Sequence, residues 1–422
     1  MIFRPSVWRV LSAASLLLLT TSSSHAREIP WLAGVTDNSV YVCLEDPGTG
    51  PATVDFGLTA SYGSQATSEN YVQSTADYGG YYVQNVKLTG LQPSTQYHYR
   101  VTHGTTVTAD YTFYTAPQAG TPARWGFAAD CRDGSSTTVT TAPADTVAHN
   151  TMAGRIAAQN PRMMVYGGDL CYGANDWVYW NQQWFMYPKW QNPDLRNQVD
   201  LNATTPWVNA AGNHEGWNTT TQAFTHTPNG EGVNNGGYFS FDYGDSHIVV
   251  LNHYASGGDG PGSAQWNWVA SDLASTDKKW KIVTSHMPAY AWGSHGGDPD
   301  MQAMTAEIFE PNGVDLVLSG HDHYYQHNFL KVSTDPALHG IDHMVIGSFG
   351  VAPSAPGSSA YTIYSEQTRC FGIIDTTPTT LTLTTYREDG SVIETIVIPE
   401  PAAMSLLLAG GLALALRRRR RA

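Results

Sequence analysis

Positive charge is scarce in this chain: 22 Lys and Arg residues stand against 36 Asp and Glu, for a formal net charge of −14. A surface of that sign offers no electrostatic footprint for nucleic acid, so a polyanionic polymer is excluded as a structural partner. Cysteine is scarce too. Four residues, at 43, 131, 171 and 370 of 422, are too few and too dispersed for a disulfide scaffold. Charged residues reach only 14%, against 41% hydrophobic and 11% aromatic, which excludes extensive disorder and leaves ample material for a core. No internal repeat or low-complexity tract interrupts the chain. At this length two domains are expected, because a single core stops growing near 250–300 residues or so.

The two ends read differently from the middle. Residues 1–26 place Arg4 and Arg9 before an apolar run that ends near Leu19, followed by the small-residue group Ser24-His25-Ala26, the pattern of a secretory signal peptide. Residues 399–421 couple Pro399-Glu400-Pro401 to a largely apolar stretch and then to the arginines 417–421. That stretch is short of the roughly 20 residues of a full span, and the arginines would stay on the cytoplasmic side. The tripartite tail resembles the PEP-CTERM sorting signal of Gram-negative bacteria. The resemblance implies an exported protein, held briefly at the membrane and processed by an exosortase-type enzyme for release to the cell surface or outside. Export would permit a disulfide, and Cys131 with Cys171 is the pair best placed for one; two buried thiols are the equal alternative.

From 28 to 117 the chain alternates in short segments, SVYVCLED, TVDFGLT, YYVQNVKL, TQYHYRV and TADYTFYT, separated by Gly, Pro, Asn and Asp. This spacing predicts an all-β sandwich. VKLTGLQPSTQYHYRV further resembles the Leu-x-Pro-x-Thr-x-Tyr corner of fibronectin type III domains. No catalytic cluster falls here, and a scaffolding role is expected.

From 122 to 396 apolar runs alternate with helical patterns, which predicts an α/β domain. RWGFAAD, MMVYGGD, TPWVNAAGN, HIVVLN, WKIVTSH and VDLVLSGH read as strands buried on both faces, and CFGIIDTTPTTLTLTTYREDGSVIETIVI as closing strands. TVAHNTMAGRIAAQ and SAQWNWVASDLAS carry helical spacing, with Pro143 and Ser263 near their starts. Asp130, Asp169, Asn213, His286 and His321 stand at the ends of such strands. One Asp or Asn after a strand is usually a turn former, but five such endings in series make a ligand set. Oxygen and imidazole donors without thiolate suit Fe, Zn or Mn, and shared carboxylates suit two ions. Paired ions about 3.5–4 Å apart clamp the attacking and leaving oxygens of an in-line displacement at phosphorus.

The series Asp130, Gly-Asp169-x-x-Tyr172, Gly-Asn213-His214-Glu215, Val-x-x-His286 and Gly-His321-x-His323 resembles the metallophosphoesterase (calcineurin-like) superfamily, and its purple acid phosphatase branch in particular. The resemblance implies an αββα four-layer catalytic domain. It implies a first metal, Fe3+ in that branch, on Asp130, Asp169, Tyr172 and His323. A second, divalent ion (Fe2+, Zn2+ or Mn2+) would lie on Asn213, His286 and His321, with Asp169 bridging. Tyr172 would be the phenolate that colours the centre. His214 and His295 match positions where the family places substrate-facing imidazoles. Arg132 departs from the family's usual Asp-x-Gly or Asp-x-His; it is either a phosphate-binding guanidinium or a surface ion pair. Glu215 is expected to orient an imidazole and Asp322 to face outward, while His247, His253, His327 and His343 are read as structural or surface residues.

The expected activity is hydrolysis of a small phosphomonoester by in-line attack of a metal-bound hydroxide. Alternatives are a phosphodiesterase or nucleotidase of the same superfamily, and a surface or matrix adhesion protein with a vestigial site. No nucleic-acid partner is expected beyond a possible nucleotide substrate.

Overall fold

The computed structural model describes residues 30–46, 50–68, 70–73, 82–132, 144–171, 180–184, 201–216, 226–228, 237–336 and 338–400. The expected signal peptide (residues 1–26), the expected sorting tail from 401 onward and Tyr172 lie outside these residues.

The first segment supplies β1 (Trp31–Ala33), β2 (Ser39–Asp46), β3 (Thr53–Gly57), β4 (Ser64–Thr67), β5 (Asn70–Gln73), β6 (Tyr82–Thr89), β7 (Gln96–His103), β8 (Thr106–Val107) and β9 (Tyr111–Tyr114). Period-two alternation drives it. In β7, Tyr97, Tyr99 and Val101 are buried while the residues between them are not, so one face of each strand packs against the opposing sheet. This is the all-β sandwich expected from the sequence.

The second segment opens with β10 (Ala123–Ala128), α1 (Ala144–Gln159), β11 (Met164–Tyr166), α2 (Leu201–Thr204) and β12 (Trp207–Asn209). It continues through β13 (Phe239–Tyr243), β14 (Ser246–Val250), α3 (Ala264–Ser275), β15 (Trp280–Ser285), α4 (Pro299–Met304), β16 (Leu316–Ser319), β17 (Tyr325–Leu330) and β18 (Ile341–Ile346). The last strands are β19 (Thr362–Glu366), β20 (Cys370–Thr376), β21 (Thr380–Arg387) and β22 (Val392–Pro399). Ser263 caps α3, its side chain accepting from Trp266 N, and Asp298 caps α4 by accepting from Met301 N. Each cap satisfies an N–H that the helix itself leaves without a partner.

Two sheets face each other across the core. One runs β22-β21-β20-β10-β11-β12-β1-β2-β6-β5 and the other β13-β14-β15-β16-β18-β17-β19. Between them Trp125, Phe127, Val165 and Val208 meet Ile248, Val250, Ile282, Leu316 and Leu318. The residues that alternate with these point outward. Ala128, Met164 and Tyr166 pack on Met152 and Ile156 of α1; Val249, Val283 and Val317 pack on Trp266 and Val269 of α3 and Met301 of α4. Helix, sheet, sheet, helix is the four-layer order, and it explains why these strands read as continuous apolar runs.

The first of these sheets is shared between the two segments. β1 pairs in parallel with β12, Ala33 opposite Trp207, and antiparallel with β2. Tyr99 OH adds a hydrogen bond to Ala203 O at 2.7 Å. The N-terminal sandwich thus extends the first sheet of the second segment. Among the described residues no helix is long and apolar enough to cross a membrane.

Candidate metal centre

β10, β11 and β12 are parallel neighbours in the first sheet, and β14, β15 and β16 in the second. Their carboxyl ends therefore open at one edge of the double layer, where ligands gather in sheets of this kind. Asp130 and His321 stand two residues past β10 and β16, Asp169 three past β11, Asn213 four past β12, and His286 directly after β15.

The backbone turns sharply to aim these side chains. Asp130, Asp169 and His321 all hold positive φ, at 56°, 55° and 67°, a conformation that costs a non-glycine residue about 1–3 kcal/mol and gathers at functional sites. Two glycines make the close approach possible. A Cβ on Gly212 would lie 2.2 Å from Asp169 N, and one on Gly168, itself at φ 87°, would lie 2.8 Å from His286 Nδ1.

His286 Nδ1 lies 2.8 Å from Gly167 O. A carbonyl only accepts, so that nitrogen carries the proton and Nε2 presents a lone pair. Burial pushes the ring down to about 4, which keeps it neutral. Its Nε2 stands 3.0 Å from Asn213 Oδ1 and 3.1 Å from His321 Nδ1, and these last two atoms are 3.1 Å apart. At most one proton, on His321, fits inside this triangle. Burial and then the neighbouring His286 also press His321 down to about 4. Ligand atoms about 2.0–2.1 Å from a metal ion are separated by roughly this distance, so the three electron pairs fit one cation.

A second group adjoins it. Asp130, Asp169 and His286 each offer an atom within 4.8 Å of the others, and His323 Nε2 lies 3.4 Å from Asp130 Oδ1. Asp130 Oδ1 is buried without a hydrogen bond. Burial raises the Asp130 carboxyl, but contact with His323 and the charges of His286, His323 and His321 outweigh it and hold the group at about 2. Asp169 is pushed the other way, to about 6, by burial and then by the negative charge of Asp130. Two buried carboxylates at such range resist joint ionisation unless cations join them. Asp169 Oδ1 also stands 3.4 Å from His286 Nε2, which places it between the two groups, as a bridging ligand must be. The donor set fits two ions; the remaining expected ligand, Tyr172, lies outside the described residues.

Around this cluster the structure places His214, His295 and Arg132. His214 N donates to Asp169 Oδ1 at 3.1 Å and its ring Nε2 lies 3.6 Å from Oδ2. Burial lowers its basicity. Arg132 is buried, with Nε 3.7 Å from Asp169 Oδ2, so its charge bears on that carboxylate. The His295 ring lies 4.4 Å from that of His321, the two planes tilted by 40°.

One expectation is overturned. Asp322 does not face outward: it is completely buried, and its Oδ1 accepts from His295 Nδ1 at 3.0 Å while Oδ2 accepts from Tyr324 OH at 2.9 Å. Glu215 accepts from the backbone N–H of Gly212 at 3.0 Å, bracing the turn that carries Asn213. Burial and then Asp169 raise its carboxyl, against hydrogen bonds from the backbone of Gly212 and Leu170. Nothing in the spacing of Gly-His-Asp-His tells which way the middle residue turns. Cys131 and Cys171 are buried thiols and form no disulfide.

Comparison with known proteins agrees with this geometry. Residues 146–325 match the calcineurin-like phosphoesterase family and residues 29–115 the N-terminal domain of purple acid phosphatases. The chain is 26% identical over 372 residues to purple acid phosphatase 15 of Arabidopsis thaliana, covering 79% of this chain and 67% of the relative. It is also 26% identical over 343 residues to an uncharacterized protein of Mycobacterium tuberculosis, covering 72% of this chain and 60% of the relative. This chain therefore spans less than two thirds of that mycobacterial protein's length. Among solved structures, the yellow lupin purple acid phosphatase PPD1 superposes with TM-score 0.68 at 20% identity, over 88% of this chain and 74% of that one. PhoD superposes with TM-score 0.62 at 14% identity, over 89% and 94%. Both likenesses concern the fold. By its matched domains, its fold and its ligand cluster, the chain carries a calcineurin-like phosphoesterase domain behind a domain of the purple acid phosphatase N-terminal kind, and is purple acid phosphatase-like in fold.

Proposed function

We propose that the protein is an exported phosphomonoesterase of the acid phosphatase type, working on a small phosphoester. The observation that carries this reading is the triangle of Asn213 Oδ1, His286 Nε2 and His321 Nδ1 set against the Asp130–Asp169–His323 group. Asp130, Asp169, His323 and Tyr172 would hold an Fe3+ ion, and Asn213, His286 and His321 a divalent one, with Asp169 shared. When bound, such a pair supplies charge that neutralises phosphoryl oxygens and a Lewis acid that activates water.

The chain's own residues do the rest. His295 is 45% exposed beside His321 and His214 is 24% exposed beside Asp169, so both imidazoles border the open side of the cluster. Either can orient a phosphoryl oxygen, and a protonated ring can hand its proton to a departing alkoxide. Arg132 offsets part of the charge on Asp169, and a guanidinium at this place is suited to hydrogen-bond a phosphate. A poor leaving group needs the proton most, which favours unactivated monoesters as substrates. The signal-peptide and PEP-CTERM resemblances support a site of action outside the cytoplasm, with an exosortase-type enzyme as the proposed processing partner.

The test is one preparation measured three ways. Purified protein should contain iron plus a second metal, absorb in the visible, lose that band in Tyr172→Phe, and hydrolyse alkyl phosphates faster than diesters. Two metals without a visible band would move the centre to a pair of divalent ions. Faster diester cleavage would make it a phosphodiesterase, and loss of all hydrolysis in fully loaded protein would leave an adhesion protein with a vestigial site.

A further inference from the structure

A second group of ligand-type side chains lies beside the centre just described, near enough for the charge of His253 to bear on His286. His253, in the loop that follows β14, joins Asp259 from the same loop and Asp298 from the end of the loop between β15 and α4, each offering an atom within 4.8 Å of the others. The imidazole is 4% exposed and the Asp259 side chain 10%. Neither ring nitrogen of His253 has a hydrogen-bond partner, and neither does Asp259 Oδ2. Nδ1 and Oδ2 nevertheless face each other at 2.5 Å, close but not aligned as donor and acceptor.

Charge compounds the deficit. Asp300 packs its carboxylate against Gly260, where an added Cβ would meet Oδ2 at 2.9 Å. Its carboxyl is pushed up by burial and then by Asp259 and Asp298. Two carboxylates thus adjoin one imidazole, with Asp300 at their rim, and among the described residues no Lys or Arg forms an ion pair with Asp259 or Asp298. Leaving buried polar groups without partners and buried charge without compensation is costly. A cation removes both deficits together.

We propose that His253, Asp259 and Asp298 form a third metal site, distinct from the binuclear centre, that binds a divalent first-row ion such as Zn2+ or Mn2+. One imidazole with carboxylate oxygens suits these ions, whereas Ca2+ takes about six to eight oxygen ligands. Asp298 also caps α4 through Oδ1, which accepts from Met301 N at 2.8 Å, so the carboxylate's orientation is held in advance. The ion would staple the β14–α3 loop to the foot of α4. The stretch between β15 and that foot carries both His286 and His295, so the staple would fix the segment that presents them.

The test counts metal. Full-length protein and its His253→Ala and Asp259→Asn variants are passed through metal-free buffer and assayed by elemental analysis. Each variant should hold one equivalent of Zn2+ or Mn2+ fewer than wild type. A His286→Ala control should lose a different ion, and the His253→Ala, His286→Ala double variant should lose both, which separates this site from the binuclear reading. Mn2+ titrated into chelator-stripped protein should raise the melting temperature of wild type more than that of Asp259→Asn. Should His253→Ala fail to fold, Asp259→Asn still decides, since it keeps shape and removes charge. Equal stoichiometry and equal melting response in wild type and Asp259→Asn would overturn the site and leave a buried imidazole–carboxylate pair.

Discussion

Asp322 Oδ1 accepts a hydrogen bond from His295 Nδ1 at 3.0 Å, and the carboxylate is wholly buried while the imidazole it holds is 45% exposed. His295 N also approaches the same oxygen, at 3.3 Å. A buried acceptor thus fixes both the tautomer and the heading of an exposed ring, leaving Nε2 to face the open side of the cluster. Asp322→Ala should lower kcat for an alkyl phosphate by roughly tenfold to a hundredfold, the loss typical of removing a partner that orients a functional imidazole, and much less for nitrophenyl phosphate. Equal losses on the two substrates would show that Asp322 supports the fold and not the proton transfer; metal content must match wild type for the comparison.

His286→Ala and His321→Ala should each remove one ion. Their loss of kcat/KM should exceed the roughly 10–100-fold typical of an outer-shell ligand partner, because the charge on one side of the phosphoryl group disappears with the ion. Elemental analysis and kinetics on the same samples decide. Two ions retained in His321→Ala would remove that residue from the ligand set.

Gly212→Ala places a methyl 2.2 Å from Asp169 N and 2.3 Å from its Oδ1. Neither can give way, since one is backbone and the other belongs to the buried carboxylate proposed to bridge the ions. Overpacking of this kind costs about 1–3 kcal/mol, and here the displaced group is a proposed ligand. The variant should therefore melt lower and release metal to a chelator faster than wild type; Gly154→Ala, where nothing lies within 4 Å of the added atom, should do neither.

His327 sits on β17 of one sheet and reaches Glu394 on β22 of the other, with Nδ1 3.0 Å from Oε2, while Nε2 lies 2.8 Å from Asp342 Oδ1. Burial lowers the ring's basicity, but the hydrogen bonds and charges of Asp342 and Glu394 outweigh it and raise the group from 6.5 to about 9. The folded state therefore favours the protonated ring. That stabilisation is fully present below about pH 6.5 and is lost as pH rises through about 9. A shift of this size corresponds to about 3 kcal/mol. Melting temperature should fall between pH 7 and 10 in wild type, and His327→Gln should be less stable near pH 6 with a flatter alkaline limb. Parallel curves for the two proteins would dissociate the clamp from stability.

Much of this molecule was legible in the amino-acid order because the information is local. Alternation in β7 and continuous apolar runs in β14, β15 and β16 dictate half-buried and fully buried strands, and Ser263 marks the start of α3 by offering an oxygen to Trp266 N. The ligand types follow each strand at short intervals, so Asp130, Asn213, His286 and His321 could be named before any geometry was known. What only the tertiary structure decided involves residues far apart in the chain. The pairing of β1 with β12, which merges the sandwich with the catalytic sheet, joins residues 33 and 207 through backbone hydrogen bonds that side-chain pattern does not encode. The inward turn of Asp322 depends on His295 arriving from another loop, and the grouping of His253 with Asp298 on two connections that meet only after β14 and β15 have paired. Side-chain direction in a turn is set by what packs against it, and that is a property of the assembled sheets.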